Sequence, residues 1–521
     1  MSNDSKTKNK KFATLGLLVL LIASLACART VKTDDSAYFS VTDLTSSSKT
    51  GSVQAAQAPF DEGNSTFSTP SGPFYTPTPD APRVLPTLRS DEIEYFIEQG
   101  DTLGNIAQEF GITWEFLGKY NDIDDPGSLQ IGQRIFIPPP TPDGTAPDFK
   151  IIPDTELVYG PASAKFDIED FIQSQGGYLA GYKEEINEDL TLSGAEIVQR
   201  IAQDFSVNPR LLLAVLEHQS GWVTSDDIEK SARNYPVGLN DDKRKGLYLQ
   251  LAYAANNLNR GFYLWRVNGI GAWPLADGSI LLISPNINAG TAGIQHFFST
   301  LLGRNAWEDA VSENGLFTTF TNLFGNPFGY ESEPINMAEL IQPPMQLPFQ
   351  KGEQWSFTGG PHSAWGDGSA WAALDFAPPG KIGCRVAEEW VVAAATGLVV
   401  RSEKGVVMQD LDGDGHEETG WNLLYMHVAT EGRVPVGTML EQGDRVGHPS
   451  CEAGLSTATH VHLARKYKGE WIPADGSLPM ILSGWRAHAT DDAYEGTLTK
   501  GDLVRTACEC REDEYNGITA E

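Results

Sequence analysis

The sequence predicts a multidomain protein of three unlike parts: a small β-α-α-β module, a mostly α-helical middle domain and an all-β C-terminal domain with an antiparallel sheet. Three observations point there. At 521 residues the chain exceeds what one hydrophobic core serves. Pro138-Pro139-Pro140, followed by Thr141-Pro142-Asp143-Gly144, marks a break after the first module. From Leu347 onward, helical periodicity gives way to short β-branched and aromatic runs rich in glycine.

Lys6, Lys8, Lys10 and Lys11 precede the apolar run Leu15 to Leu25, and Ala26-Cys27 follows. Basic, then apolar, then small residues read as an export signal over residues 1–26, and the run is too short for a membrane span. Two readings of the junction stand: lipidation of Cys27, which would anchor the protein to a membrane, or ordinary cleavage after Ala26. Residues 27–90 are rich in Ser, Thr, Pro and Asp and cannot bury a core, so they read as a disordered tether. A formal charge of −31 excludes nucleic acid as a partner, since nothing basic enough to neutralise phosphates is present. Four cysteines remain, Cys384, Cys451, Cys508 and Cys510, an even count that favours two disulfides in an exported protein. Cys508 and Cys510 sit so close that each is expected to pair with a distant partner.

The first module spans 91–139. Tyr95-Phe96-Ile97 predicts a strand, and Gly100-Asp101-Thr102-Leu103 leads into a helix with Ile106, Ala107 and Phe110 on one face. Thr113 suits the cap of a second helix carrying Trp114, Leu117 and Tyr120, and Gln130 to Pro138 closes with a strand. Gly-Asp-Thr-Leu, the Asn121 region and Leu-Gln-Ile-Gly-Gln before the last strand together resemble a LysM domain. The resemblance implies binding of N-acetylglucosamine-containing glycans such as peptidoglycan. It places the groove between the 100–103 and 121–129 loops, at Gly100, Asp101, Thr102 and Asn121.

A linker is expected over 140–164 and a helical domain over 165–345. Ser193 with Glu196 forms a capping box ahead of the stripe Ile197, Val198, Ile201, Ala202 and Phe205. Asn208-Pro209 supplies a cap and first helical residue before Leu211 to Leu216, and a third helix holds Leu249 to Leu258. Val207 to Trp222 faintly resembles the catalytic helix of lysozyme-like lytic transglycosylases, but Gln219-Ser220 stands where that family has Glu-Ser. An amide cannot act as general acid, and Glu217 lies on another helix face. The domain is therefore expected to be non-catalytic, with His218 and His296 structural or exposed.

The chemistry is expected between 346 and 490. Thr459-His460-Val461-His462-Leu463 reads as a strand, so both imidazoles project from one face. Gly359-Gly360-Pro361-His362 supplies another histidine, Leu374-Asp375-Phe376 a carboxylate among apolar neighbours, and Leu424-Tyr425-Met426-His427 a histidine at a strand end. Two imidazoles and a carboxylate with one open position form a catalytic zinc set, which lowers the pKa of water toward about 7. This ordered set resembles the lysostaphin-type metallopeptidases, zinc endopeptidases that cleave peptidoglycan peptides. Asp375 follows His362 by thirteen positions, which resembles the β-lytic branch, where a loop separates the two motifs. The resemblance implies His362, Asp375 and His462 as zinc ligands, with His427 and His460 in the catalytic positions; which of these two moves the proton stays open.

Asp410-Leu411-Asp412-Gly413-Asp414-Gly415 places carboxylates at alternate positions, as in calcium loops, although Trp421 stands where an EF-hand has glutamate. A calcium site and a solvated acidic hairpin remain as alternatives. His416 and His448 read as loop residues, and 491–521 as a C-terminal extension. The functional expectation is an exported zinc endopeptidase of peptidoglycan aimed by LysM. The alternative is a non-catalytic envelope protein that binds peptidoglycan and regulates another wall hydrolase.

Overall fold

The computed structural model describes residues 83–521 except 99–100, 188–189, 331–334 and 455. The export signal, Cys27, most of the tether and Gly100 lie outside the described residues. No helix among the described residues is long and apolar enough to cross a membrane.

In the first module, strands β1 (Ile93–Phe96) and β2 (Arg134–Ile137) pair antiparallel, with Ile93 opposite Ile137. Helices α1 (Leu103–Glu109) and α2 (Trp114–Tyr120) pack on them through Leu103, Ile106 and Leu117, all buried. Thr113 caps α2, its Oγ1 accepting from the Phe116 N–H at 3.2 Å. Ala272 and Ile280 of the middle domain complete this core, so the module is docked on its neighbour.

The middle domain starts earlier than expected. Residues 140–164 are not a linker: Gly144–Thr145 pairs in parallel with Leu281–Leu282, and Ile151, Ile152 and Leu157 are fully buried. Helix α3 (Gly194–Phe205) begins at a complete capping box between Ser193 and Glu196. Helix α4 (Pro209–Ser220) begins at Asn208, whose Oδ1 accepts from the Arg210 N–H at 2.9 Å. Helix α5 (Leu247–Arg266) is longer than its expected stripe and crosses α6 (Ala289–Ser299). The crossing is close because Gly261 and Gly293 face the partner helix; a Cβ at 293 would lie 2.6 Å from the Leu258 carbonyl oxygen.

The C-terminal domain is a large sheet. Its strands are β3 (Gln354–His362), β4 (Ala373–Ala377), β5 (Gly397–Glu403), β6 (Val406–Asp410), β7 (Trp421–Met426), β8 (Met439–Leu440), β9 (Val461–Tyr467), β10 (Glu470–Trp471) and β11 (Gly517–Thr519). The order across it is β8-β5-β6-β7-β9-β4-β3-β11, with β10 paired to β9 and all neighbours antiparallel. Both faces are covered. Leu424, Met408 and Ala464 join the core of the helical domain, while Leu423, Leu463, Phe376 and Phe357 join a second core with Trp485 and Leu498. Burial on both faces explains why these strands read as continuous apolar runs rather than as alternations.

Buried charges tie the helical domain to the sheet. Arg401 pairs with Asp204 of α3 and, at 3.4 Å, with Glu417, which also accepts from Lys466 at 2.9 Å. Residues 491–521 are integral to the domain rather than an extension, because Gly517–Thr519 forms the sheet edge beside β3. Disulfides join Cys384 to Cys451 and Cys508 to Cys510. The second corrects the expectation of distant partners: Asn516 Nδ2 donates to both the Cys508 and Cys510 carbonyls, folding the segment into a turn that brings the two together.

Candidate functional site

Sheet register assembles the site. Strand β9 lies between β7 and β4, with His462 opposite Met426 on one side and Asp375 on the other. Directly cross-strand residues project from the same face, so His462 and Asp375 meet. On the far side of Asp375, β3 pairs Gly359 with it, and an irregular register then carries the chain on to His362. A side chain at 359 would collide with the Asp375 carboxylate, and one at 360 with the Glu495 backbone, which is why the Gly-Gly pair precedes this histidine.

Three ligand-type atoms converge. His362 Nε2 lies 3.0 Å from His462 Nδ1, and Asp375 Oδ1 lies 3.4 Å from the first and 3.3 Å from the second. Each imidazole spends its other nitrogen on a backbone carbonyl: His362 Nδ1 donates to Gly360 O at 2.8 Å, and His462 Nε2 to Ala364 O at 3.0 Å. Those bonds fix the tautomers and turn two lone pairs toward the carboxylate. Asp375 Oδ1 is buried with no hydrogen-bond donor, a costly condition for a carboxylate oxygen. Two basic nitrogens and such an oxygen at these separations fit a divalent cation, and this mixed nitrogen and oxygen set suits zinc better than calcium or magnesium.

His460 and His427 stand beside this set. His460 Nε2 is 3.7 Å from Asp375 Oδ2, the oxygen turned away from the other two histidines, and its Nδ1 donates to Ala458 O at 2.8 Å. The His427 ring lies 4.3 Å from the His460 ring, and its Nδ1 donates to Glu452 O at 3.0 Å. His427 has φ +62°, a left-handed conformation that non-glycine residues rarely adopt and that gathers at functional sites. Burial, reinforced by His460 and His462, pulls the His427 imidazole down to about 3, so it is neutral at ordinary pH. Burial also lowers His462. For Asp375, burial works to raise the carboxyl, but His362 and His460 outweigh it and hold it well below the usual carboxylate range.

The other expected sites are mixed. Asp410, Asp412 and Asp414 do cluster, but Asp410 already accepts from the Asp412, Gly413 and Gly415 N–H groups. Burial and the Asp410 carboxylate push Asp412 up to about 6. In the first module, Asp101 Oδ2 accepts from the Tyr95 hydroxyl at 3.0 Å and the Glu98 N–H at 2.6 Å, and Thr102 O accepts from Ile106 N. Asn121 is occupied on both ends of its amide, donating to Leu117 O and Phe136 O and accepting from Phe136 N–H. Its side chain therefore ties α2 to β2 instead of reaching outward for a glycan. In the helical domain Gln219 donates to Val237 O at 2.7 Å, and Glu217 accepts from the Val223 and Thr224 N–H groups, so both side chains are engaged by the backbone. His296 is buried with Nδ1 on Asn257 O, and His218 lies 3.1 Å from Thr319 Oγ1. His488 pairs with Thr499, and His448 with Glu389 O.

Tyr494 was invisible in the sequence. Its ring stacks on His362 at 4.1 Å and 22°. The carbonyls of Gly360, Ala364, Ala458 and Glu452, which orient the four histidines, were equally silent, because a backbone oxygen leaves no mark in residue type.

Comparison with known proteins finds family matches in the first two domains. Residues 95–138 match the LysM domain family, and residues 150–336 match the family described as LasA, N-terminal domain, which the faint transglycosylase likeness had not indicated. N-acetylmuramoyl-L-alanine amidase XlyA of Bacillus subtilis (strain 168) is 37% identical over 60 residues, 12% of this chain and 20% of the amidase. The chain thus spans about a fifth of that relative's length. Similar solved structures include the M23 metalloprotease pseudoalterin from the deep sea, at 22% identity over 32% of this chain and 96% of that one, with a TM-score of 0.27. The catalytic domain of lysostaphin from Staphylococcus simulans is 22% identical over 23% of this chain and 89% of that one, with a TM-score of 0.18. The chain thus matches the LysM and the LasA N-terminal domain families ahead of a β domain in which His362, Asp375, His427, His460 and His462 meet.

Proposed function

We propose that the protein is an exported zinc endopeptidase that hydrolyses peptide bonds of peptidoglycan, in the stem or the cross-bridge, and is held to the wall by its LysM domain. One observation carries the reading: His362 Nε2, Asp375 Oδ1 and His462 Nδ1 converge within 3.4 Å of one another, each imidazole being oriented by a backbone carbonyl on its second nitrogen. Zinc held there supplies Lewis acidity toward a scissile carbonyl and makes water more acidic. The remaining work falls to the protein. With Nδ1 donating to Ala458 O and Glu452 O, His460 and His427 both keep Nε2 as the basic nitrogen. One accepts the proton of the attacking water there and returns it to the leaving amine, while the other faces the developing oxyanion and donates to it from Nε2 only when protonated there. Asp101 and Thr102, beside the 121–129 loop, are proposed to border the glycan groove. Asp410, Asp412 and Asp414 are proposed as a separate calcium site, and lipidation at Cys27 would add a membrane anchor.

Purified protein is expected to contain about one zinc per chain and to release new amino groups from peptidoglycan, with products identified by mass. His462→Ala should lose both metal and hydrolysis. A zinc-loaded wild type that releases nothing from several wall types would favour the regulatory reading, and hydrolysis that survives in His462→Ala would place the active site elsewhere.

A further inference from the structure

The loop between the first two metal-type residues is bolted to the helical domain. It leaves β3 after His362 and returns at β4, and on the way Ala364 O receives the His462 Nε2–H at 3.0 Å. The loop is braced internally by Ala364 N–H on Ala370 O and Trp365 N–H on Ser369 Oγ. Its tip reaches α5. Gly368 N–H donates to Asn256 Oδ1 at 3.0 Å, and Asn256 Nδ2 donates to Asp367 Oδ1, so one amide of the helical domain grips the loop by both of its ends. Trp365 adds an edge-on contact with Phe205 at 6.5 Å. Any Cβ at Gly366 or Gly368 would strike Asn256, so the fit leaves no room for another seating.

We propose that Asn256 is a positioning residue for the metal site. It fixes the 363–372 loop so that the Ala364 carbonyl holds the His462 ring with Nδ1 turned to the metal position. The helical domain then has a defined part in the chemistry without touching substrate: it completes the metal centre of its neighbour. The physical basis is that a carbonyl on a mobile loop restrains an imidazole poorly, whereas one clamped through two hydrogen bonds to a helix sets both tautomer and ring angle. This inference rests on zinc binding by His362, Asp375 and His462.

Zinc affinity of the full chain, measured by competition with a chelating dye, tests it. Asn256→Ala is expected to weaken zinc binding about 10–100-fold, the usual cost of losing an outer partner of a metal ligand. Asp367→Ala, at an exposed side chain, should weaken it less. The swap Asn256→Asp with Asp367→Asn restores an acceptor for Gly368 and a donor between the two side chains, and should recover wild-type affinity. A merely structural role would lower the melting temperature of the metal-free protein without moving zinc affinity. Wild-type affinity in folded Asn256→Ala, or in Asp367→Ala should the first fail to fold, overturns the inference and leaves the zinc reading standing. A wild-type protein that binds no zinc overturns both.

Discussion

Replacing His460 by alanine tests the division of His460-Val461-His462 into a catalytic residue and a ligand, which the sequence supplies through resemblance alone. His462 Nδ1 and His362 Nε2 share Asp375 Oδ1, whereas His460 Nε2 lies 3.7 Å from the other oxygen, Oδ2. Its removal takes no donor from the converging set and breaks neither carbonyl bond that orients His362 and His462. Zinc content should therefore stay at about one per chain. What disappears is a base or oxyanion partner 4.3 Å from the His427 ring. Positioned acid–base groups contribute about 10²–10⁴-fold, so kcat should fall by that factor, equivalent to about 3–5 kcal/mol of barrier. Metal content by mass spectrometry and turnover on a defined cross-linked muropeptide read the two effects independently. Loss of zinc in His460→Ala would show that both imidazoles are ligands, and an unchanged kcat would remove His460 from the chemistry; either result refutes the assignment.

Three further outcomes can be measured, two of them on buried groups. Glu417→Gln leaves fully buried Lys466 without a carboxylate and takes one partner from Arg401, so stability should fall by about 3–5 kcal/mol in calorimetry; a loss under about 1 kcal/mol would show the network to be idle. Burial works to raise the Glu417 carboxyl but Arg401 and Lys466 hold it low, so its contribution is present above the ordinary carboxylate pKa and is lost as pH falls through the depressed folded value. His296 is pulled by burial from 6.5 to about 3, so the unfolded chain binds its proton first. Stability should then decline as pH falls from 6.5 toward 3, by at most about 5 kcal/mol, and His296→Gln should flatten that slope; an unaltered acid titration would discard the argument. Calcium at millimolar concentration should raise the melting temperature by occupying Asp410, Asp412 and Asp414, and Asp412→Asn should abolish the response; no response in the wild type would leave a solvated hairpin.

Local signals in the sequence reported local structure faithfully. Ser193 with Glu196 and Asn208 with Pro209 start their helices where capping chemistry dictates, because a cap involves only neighbours in the chain. The proline-rich stretch misled: around 140–164 it hid Ile151, Ile152 and Leu157, whose burial depends on partners more than a hundred residues away. Cys508 and Cys510 misled for a similar reason, since the turn that joins them is held by Asn516.

By itself the sequence determined which residue types stand at the positions that meet in the site. Histidine and aspartate types, the alternation of His460 and His462, and the Gly-Gly-Pro-His and Leu-Asp-Phe contexts were all legible in it. Only the tertiary structure decided how those residues face one another. Sheet register set His462 against Asp375, backbone carbonyls chose which nitrogen of each imidazole stays basic, and a helix of another domain gripped the loop that supplies one of those carbonyls. The reason is physical: a residue's identity fixes its possible protonation and ligand atoms, but which atom faces which partner is set by hydrogen bonds to backbone groups that are the same in every residue.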